Sequence, residues 1–410
     1  MRNYLFILFS IFSLIFVNSC AIRNSLAPKV GLDAERTFYA QVLKDGESLG
    51  YSNIPAKLVK TTDHLAIYLQ NGKSVSLYAL NEMAQEFDYY YDDMTNIYGE
   101  HSDIDGNGKI IIFLMDINRN SAKETTLGYF NPYDMYAGNS GEVLYMDITK
   151  VNTETDNAIG TLIHEFQHLI NYNYYLSGRR GQMSSWLNEA LSESTSILFN
   201  KATAKSRIEE FNKINYYCFY TWNIKSNISN NGKSNSFVNY PSASVFMHWL
   251  YITNGSNSTI FSNIAHSTES ADWMKVLKSA REEKLKDINS WGQLLLAWMY
   301  DIVNTNNRPK INGTEATNNM ANGTISLYPG AMVVFDTYTN NVGQKTNTNN
   351  GKTIVLNDDK TLDLKGYVPI KVSGTSTTKK SKARQSSIAN KEETKTINIL
   401  LDRYGNIQKY

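Results

Sequence analysis

The segment IGTLIHEFQHLINYN, Ile159 to Asn173, is the strongest constraint on how this chain folds. At about 100° per residue, Ile159, Leu162, Ile163, Phe166, Leu169 and Ile170 fall on one broad arc of a helix, and that arc has to be buried. His164 and His168 fall on the opposite side, about 40° apart, so their imidazoles point the same way one turn from each other. Two neutral imidazoles so placed can share one metal ion. Glu165 lies between them and the apolar arc, where its carboxylate can take a proton from a water at that ion. This is the arrangement that zinc hydrolysis requires. The competing reading is an amphipathic core helix that carries two histidines by chance, and the segment alone leaves the two evenly matched.

Residues elsewhere bear on the choice. A closed structural zinc site is commonly rich in cysteine, and the chain has two cysteines, Cys20 and Cys218. The segment WLNEALSES carries Glu189 and Glu193 one helical turn apart, and Glu189 stands 21 residues after His168. A helix, a reversing loop and a second helix fit that gap. Two antiparallel helices could then present His164, His168 and Glu189 to one ion and leave a fourth position for water. Glu193 could accept from the second nitrogen of an imidazole, His164 by its spacing, and so fix the tautomer. Read blandly, Glu189 and Glu193 are surface carboxylates. Their neighbours Trp186, Leu187, Ala190 and Leu191 bury one face of the helix, however, and buried carboxylates need a partner.

The balance of 40 basic and 39 acidic residues argues against a nucleic-acid partner, which a basic stripe would mark. At 410 residues, 42% hydrophobic, the chain can bury a core in two to three domains. Its N-terminus reads as an export signal. Arg2 precedes the apolar run Tyr4 to Val17, which is short for a membrane span of roughly 20 residues. Val17-Asn18-Ser19-Cys20 resembles a bacterial lipoprotein lipobox. Asn at its second position departs from the common pattern and is similar to the looser lipoboxes of spirochaetes. Lipidation of Cys20 would tether the exported protein to the bacterial membrane, at the outer membrane or cell surface, and leave Cys218 without a partner. Plain secretion is the alternative.

The remaining organisation follows from periodicity. From Phe38 to Ala79, TFYAQVL, HLAIYLQ and SVSLYAL read as strands separated by the turns KDGE and NGK. A helix is predicted from about Leu80 to Tyr98, with Met83, Phe87, Tyr90, Met94 and Tyr98 on one stripe. Asp103, Asp105 and Asn107 alternate like the first ligands of a calcium loop and Gly108 takes the sharp-turn position. Leu114 then stands where an EF-hand needs Glu, so a plain Gly-rich turn into a strand at Ile110 to Met115 competes with a Ca2+ site. Glu142 to Asp147 reads as a strand and a candidate sheet edge for aligning an extended peptide. Helices are predicted from about Trp186 to Phe199, over SASVFMHWLYI, and over SWGQLLLAWMYDIV with Ser290 and Gln293 as a capping box. AMVVFDTY, KTIVL, GYVPIKV and TINILLD read as strands near the C-terminus. The basic loop around Lys379, Lys380, Lys382 and Arg384 reads as solvated.

HEFQH followed by NEALSE resembles the gluzincin metalloproteases, the thermolysin-like group. The stretch from about Leu80 to Tyr251 is similar more closely to the hyicolysin family of secreted bacterial metallopeptidases, through its DxDGNGK turn and its GYF…D…NS…LYMD strand. This resemblance covers about two-fifths of the chain. It implies an α+β, thermolysin-like fold with a small sheet, an active-site helix and a helical subdomain. A β region precedes that domain and an all-β domain follows it. The corresponding division is signal peptide 1–19, tether and β region 20–79, catalytic domain 80–324 and C-terminal domain 325–410. The resemblance further implies Zn2+ held by His164, His168 and Glu189, with Glu165 as general base and Glu193 behind the ligands. Such enzymes use a His or Tyr further along the chain at the oxyanion. Tyr240 is the candidate chosen, with His248, Tyr216 and Tyr217 behind it, although His248 sits among apolar residues as a core histidine would. The expected function is a zinc-dependent peptidase, an endopeptidase acting on protein or peptide substrates. Two alternatives stand beside it: an inactive surface-binding lipoprotein on a protease-like fold, and another zinc hydrolase such as an aminopeptidase. For the latter, no GAMEN-like segment occurs.

Overall fold

The computed structural model describes residues 32–44, 47–119, 126–213, 219, 222, 236–283, 285–304 and 307–317, and beyond them the strands of a C-terminal sheet. Cys20, Cys218, Tyr216, Tyr217 and the basic loop around Lys379 lie outside the described residues. The chain forms two compact units. The first comprises 1–204, 232–234 and 258–275, and the second 205–231, 235–257 and 276–410.

The first unit is built on a mixed sheet of β1 (Glu35–Lys44), β2 (Glu47–Thr61), β3 (Leu65–Gln70), β4 (Ile110–Met115), β5 (Gly128–Phe130) and β6 (Val143–Asp147), in the order β1-β2-β3-β4-β6-β5. The first three strands run antiparallel, β3, β4 and β6 run parallel, and β5 returns antiparallel along β6. Every residue of β4 and of β6 is buried, as parallel strands covered on both faces require. Phe38 stacks on Phe113 at 4.3 Å and meets Tyr68 edge-on at 5.3 Å in the core of this sheet.

Four helices accompany these strands: α1 (Leu77–Tyr98), α2 (Ile148–Thr153), α3 (Thr155–Leu176) and α4 (Ser185–Phe199). The predicted stripe of α1 is realised at Met83, Phe87, Met94 and Tyr98, which are buried, whereas Tyr90 is only partly so; Phe87 packs against Phe166 of α3 at 5.0 Å. Asp147 joins sheet to helix. Its Oδ1 accepts from Lys150 N–H as the N-cap of α2, and its Oδ2 accepts from the Nδ2 of Asn118 at 2.9 Å.

Three expectations are corrected. SVSLYAL is not a strand, because Ser76 Oγ accepts from Ala79 N–H and caps a helix that begins at Leu77. β2 was not anticipated, since Gly50 and Pro55 interrupt its pattern, and its pairing with β1 and β3 is what makes it a strand. The strand over Glu142 to Asp147 is not a sheet edge, because β6 lies between β4 and β5 and the edge strand is β5.

Beyond α4 come α5 (Lys201–Phe211), α6 (Ser236–Thr253), α7 (Thr259–Ala265), α8 (Asp272–Glu283) and α9 (Trp291–Asn304). In the second unit Phe219, Phe246 and Trp298 form an aromatic core, with centroids 4.7 Å and 5.2 Å apart for the successive pairs. Ser290 Oγ accepts from Gln293 N–H, while Gln293 Oε1 reaches back to Asn289 N–H, one residue earlier than a capping box. After the short pair β7 (Lys310–Ile311) and β8 (Thr314–Glu315) come β9 (Gly323–Leu327), β10 (Met332–Thr339), β11 (Lys345–Asn349), β12 (Lys352–Leu356), β13 (Val368–Ser373), β14 (Lys395–Leu401) and β15 (Ile407–Lys409). They form an antiparallel sheet ordered β15-β14-β10-β11-β12-β13-β9. The four predicted C-terminal strands are β10, β12, β13 and β14. Polar β11, KTNTN, carries no apolar alternation to find. The architecture as a whole is mixed α/β. No helix among the described residues is long and apolar enough to cross a membrane.

Candidate metal centre

α3 buries Ile159, Leu162, Ile163, Phe166, Leu169 and Ile170, the arc read from the sequence. Its opposite side meets α4. Asn171 bonds Asn188, Ser192 bonds Gln167 and Glu193 faces His164, so the residue numbers fall along one helix as they rise along the other and the pair is antiparallel.

Three atoms converge between these helices. His164 Nε2 and His168 Nε2 are 3.1 Å apart, and Glu189 Oε2 lies 3.3 Å from the first and 3.4 Å from the second. Ligands about 2.05 Å from a tetrahedral zinc stand about 3.3 Å from one another, so the triangle has the edge length of one face of such a site. Glu189 Oε2 is buried and accepts no hydrogen bond of good geometry, a costly state for a carboxylate unless a cation satisfies it. The side chains of His164, His168 and Glu189 are 14%, 11% and 8% exposed, so all three are largely buried. His164, His168 and Glu189 could therefore hold a metal ion.

Charge supports the same grouping. Burial by itself would raise the Glu189 carboxyl, but the imidazoles of His168 and His164 outweigh it and hold the group below the carboxylate range. Burial would depress His168, and the charge of Glu189 reverses that and raises it above its ordinary value. In the metal-free protein His168 thus keeps a proton that an ion must displace. The sign follows: zinc affinity should rise as pH rises, and should continue to rise above pH about 7, where an ordinary histidine has already lost its proton. Zinc titrations from pH 6 to 9 with a competing chromophoric chelator measure this, and a plateau at neutrality would count against it.

The nitrogens that do not face the triangle are also engaged. His164 Nδ1 faces Glu193 Oε1 at 3.6 Å, longer than the hydrogen bond the spacing suggested. His168 Nδ1 lies 3.0 Å from Ser192 Oγ, and Ser192 donates to Gln167 Oε1 at 2.5 Å. With Ser192 donating there, His168 donates from Nδ1 to Ser192 Oγ, so Nε2 is the nitrogen whose proton an ion would displace and whose lone pair it would take. Sequence reasoning missed Ser192 and Gln167. The signal was available: Ser192 is three residues after Glu189 on one face of α4, and Gln167 precedes the second histidine. Ser192→Ala should weaken zinc binding about 10- to 100-fold with little change in fold, measured by zinc competition alongside thermal denaturation.

Glu165 is partly buried and its carboxyl is raised, first by burial, against the opposing charge of His168 and His164. Its Oε2 accepts the backbone N–H of Phe130 at 2.9 Å. That N–H is on the side of β5 away from β6, so the free edge of the sheet is tied to the glutamate between the two histidines. Gly128 makes this approach possible, since a Cβ there would stand 2.8 Å from Tyr145 O and 3.1 Å from Thr161 Cγ2 of α3. The other residues of the GYF…D…NS…LYMD stretch hold its loop: Asp134 accepts from Tyr145 Oη at 2.6 Å and from Asn139 N–H and Nδ2 at 2.9 Å.

Tyr240 belongs to the second unit. Its ring meets Trp222 edge-on at 4.7 Å and lies 5.2 Å from the Arg207 guanidinium. His248, also there, is buried, and burial pushes it down to about 4. Asp103 and Asp105 sit in the turn between α1 and β4. Asp103 Oδ1 accepts from Gly108 N–H at 3.0 Å, and Asp105 accepts from the backbone and side chain of Asn107. Asn107 uses its own oxygen on Lys109 N–H. Glu142, which the spacing did not offer, joins the two aspartates.

No family model matches the chain. Over 252 residues it is 26% identical to a neutral metalloprotease, ShpI, of Staphylococcus hyicus. The aligned part is 55% of this chain and 55% of the relative, so the chain spans about half the length of the curated protein it matches. That similarity supports a relationship to a metalloprotease, and His164, His168 and Glu189 are residues that could hold a metal ion.

Proposed function

We propose that this chain is a zinc-dependent peptidase of the gluzincin type, most like the hyicolysin family: an exported endopeptidase, itself anchored through lipidated Cys20. The observation that carries the reading is the triangle of His164 Nε2, His168 Nε2 and Glu189 Oε2, with edges of 3.1 to 3.4 Å and Glu165 beside it. The donor set of two imidazoles and one carboxylate is that of a catalytic rather than a closed zinc site.

Zinc held there would supply Lewis-acid polarisation of a scissile carbonyl and of a water. The chain's own residues do the rest. Glu193 and Ser192 orient the two imidazoles through their second nitrogens. Glu165 keeps Oε2 on Phe130 N–H, so Oε1 is the oxygen available to take the proton of the attacking water and return it to the leaving amine. The outer edge of β5 could pair with an extended peptide through backbone groups other than the Phe130 N–H, which Glu165 holds. Tyr240 is the proposed oxyanion partner.

The test is hydrolysis of an internally quenched peptide library by the delipidated full chain, with and without a zinc chelator. Cleavage that the chelator abolishes and added zinc restores is the expected result. Zinc bound at one equivalent with no cleavage of any library member would instead identify a binding protein on a protease-like fold.

A further inference from the structure

We infer that Asp103, Asp105 and Glu142 form a second cation site, suited to calcium, where the loop before β4 meets the start of β6. It shares no residue with the His164–His168–Glu189 group and does not depend on the peptidase reading.

A ligand oxygen from each of the three carboxylates lies within 4.8 Å of the other two. Proximity alone would mean little, because acidic turns are common. Glu142 makes the difference. It is fully buried. Its Oε1 is satisfied, accepting from Ser102 Oγ at 2.5 Å and Ile104 N–H at 2.9 Å, but its Oε2 is buried with no hydrogen-bond partner. A buried carboxylate oxygen without a partner is costly, and two further carboxylates beside it raise the cost.

Neighbouring cations do not resolve this. Lys109 Nζ donates to Thr62 O at 2.6 Å and Asp63 O at 3.1 Å, away from the cluster. Arg36 is near enough to act on Asp105 electrostatically, but it donates to Asn139 O and lies over the Phe38 ring. A bound divalent cation would satisfy all three carboxylates at once. Asp105 retains acceptor capacity after its bonds from Asn107, since each carboxylate oxygen has two lone pairs.

The donor chemistry selects the ion. All the side-chain ligands are oxygens, which suits Ca2+ or Mg2+ and not zinc. The carboxylates are presented by an irregular loop with Gly106 and Gly108 both at φ 69°, and by Glu142 from a separate segment. Such an uneven set fits the flexible coordination of calcium better than the strict octahedron of magnesium. Gly141 closes the seat: a Cβ there would stand 2.8 Å from Asp105 Oδ2. An ion at this place would brace the loop that carries His101, whose Nε2 is 2.7 Å from Tyr91 Oη and whose ring packs edge-on to Phe166 of α3 at 5.9 Å.

The full chain, freed of divalent cations and reloaded with one equivalent of zinc, is titrated with CaCl2 by calorimetry and by thermal denaturation, with MgCl2 in parallel. The expected result is one further calcium per chain and a rise in Tm of several degrees, with a smaller rise for magnesium. Asp103→Asn and Glu142→Gln should each weaken calcium binding at least about tenfold while zinc content stays unchanged. Asp103 is exposed, so its variant reads out the site even if Glu142→Gln folds poorly. No calcium-dependent change in the parent protein, or an undiminished one in Asp103→Asn, would overturn the site. An equal response to magnesium would overturn its assignment to calcium.

Discussion

Glu165→Gln is expected to lower kcat/KM for peptide hydrolysis by about 10³- to 10⁴-fold while leaving one zinc bound per chain. General-base catalysis accounts for about 10²- to 10⁴-fold in comparable sites, and in the proposed reaction the same carboxylate would also return the proton to the leaving group. The substitution isolates that role. Glutamine is the same size, and its amide oxygen can still accept the Phe130 N–H that Glu165 Oε2 takes at 2.9 Å. The edge strand therefore stays where it is, and Glu165 is not one of the three converging atoms. A fluorogenic peptide assay paired with metal analysis of the same preparation gives the answer. A variant that keeps most of its activity would remove Glu165 from the chemistry.

Glu189→Gln should produce the second large effect, on the metal rather than on the proton. In zinc fingers, binding worth about 12 kcal/mol is shared by four protein ligands, about 3 kcal/mol each or roughly a hundredfold in Kd, and the same scale applies to Glu189. The variant also removes the main charge that raises His168 above its ordinary value, leaving the smaller contributions of Glu165 and Asn188 against burial, so the imidazole loses its proton at lower pH. Zinc affinity should fall about a hundredfold and lose its continued rise above neutral pH. Competition titrations at two pH values separate the two consequences. An unchanged zinc affinity would show that the carboxylate facing both imidazoles is not a ligand.

The parts of the molecule that could be read from the sequence share a property: each is set by the local period of one element. The arc Ile159 to Ile170, the stripe Met83 to Tyr98 and the helix around Glu189 follow from a repeat of about 3.6 residues. What escaped was set by partners distant in the chain. β2 contains Gly50 and Pro55 and exists because β1 and β3 flank it. β5 is three residues long, too short for any pattern, yet it forms the edge beside Glu165. SVSLYAL alternates like a strand, but one hydroxyl at Ser76 turns its second half into helix. The same division runs through the candidate site. His164, His168, Glu189 and Glu193 stand at helical spacings and could be named in advance. Ser192 shares their helical spacing, but its part is defined by a contact across the helix pair, with His168 Nδ1 at 3.0 Å, and Glu142 became visible only with the turn folded beside it.

The two faces of α3 have a consequence for how the protein comes to be active. Its apolar side is held by Phe166, Leu169, Ile170 and their neighbours, all buried in the first unit whatever the other side carries. In zinc fingers the ion organises a chain that is unfolded without it. Here the helix pair and the sheet edge have a hydrophobic reason to assemble first, and the ligand triangle is a by-product of that packing. For the proposed peptidase, acquisition of the ion would then be a separate step after folding, and hydrolysis would begin only once zinc is supplied to the folded chain.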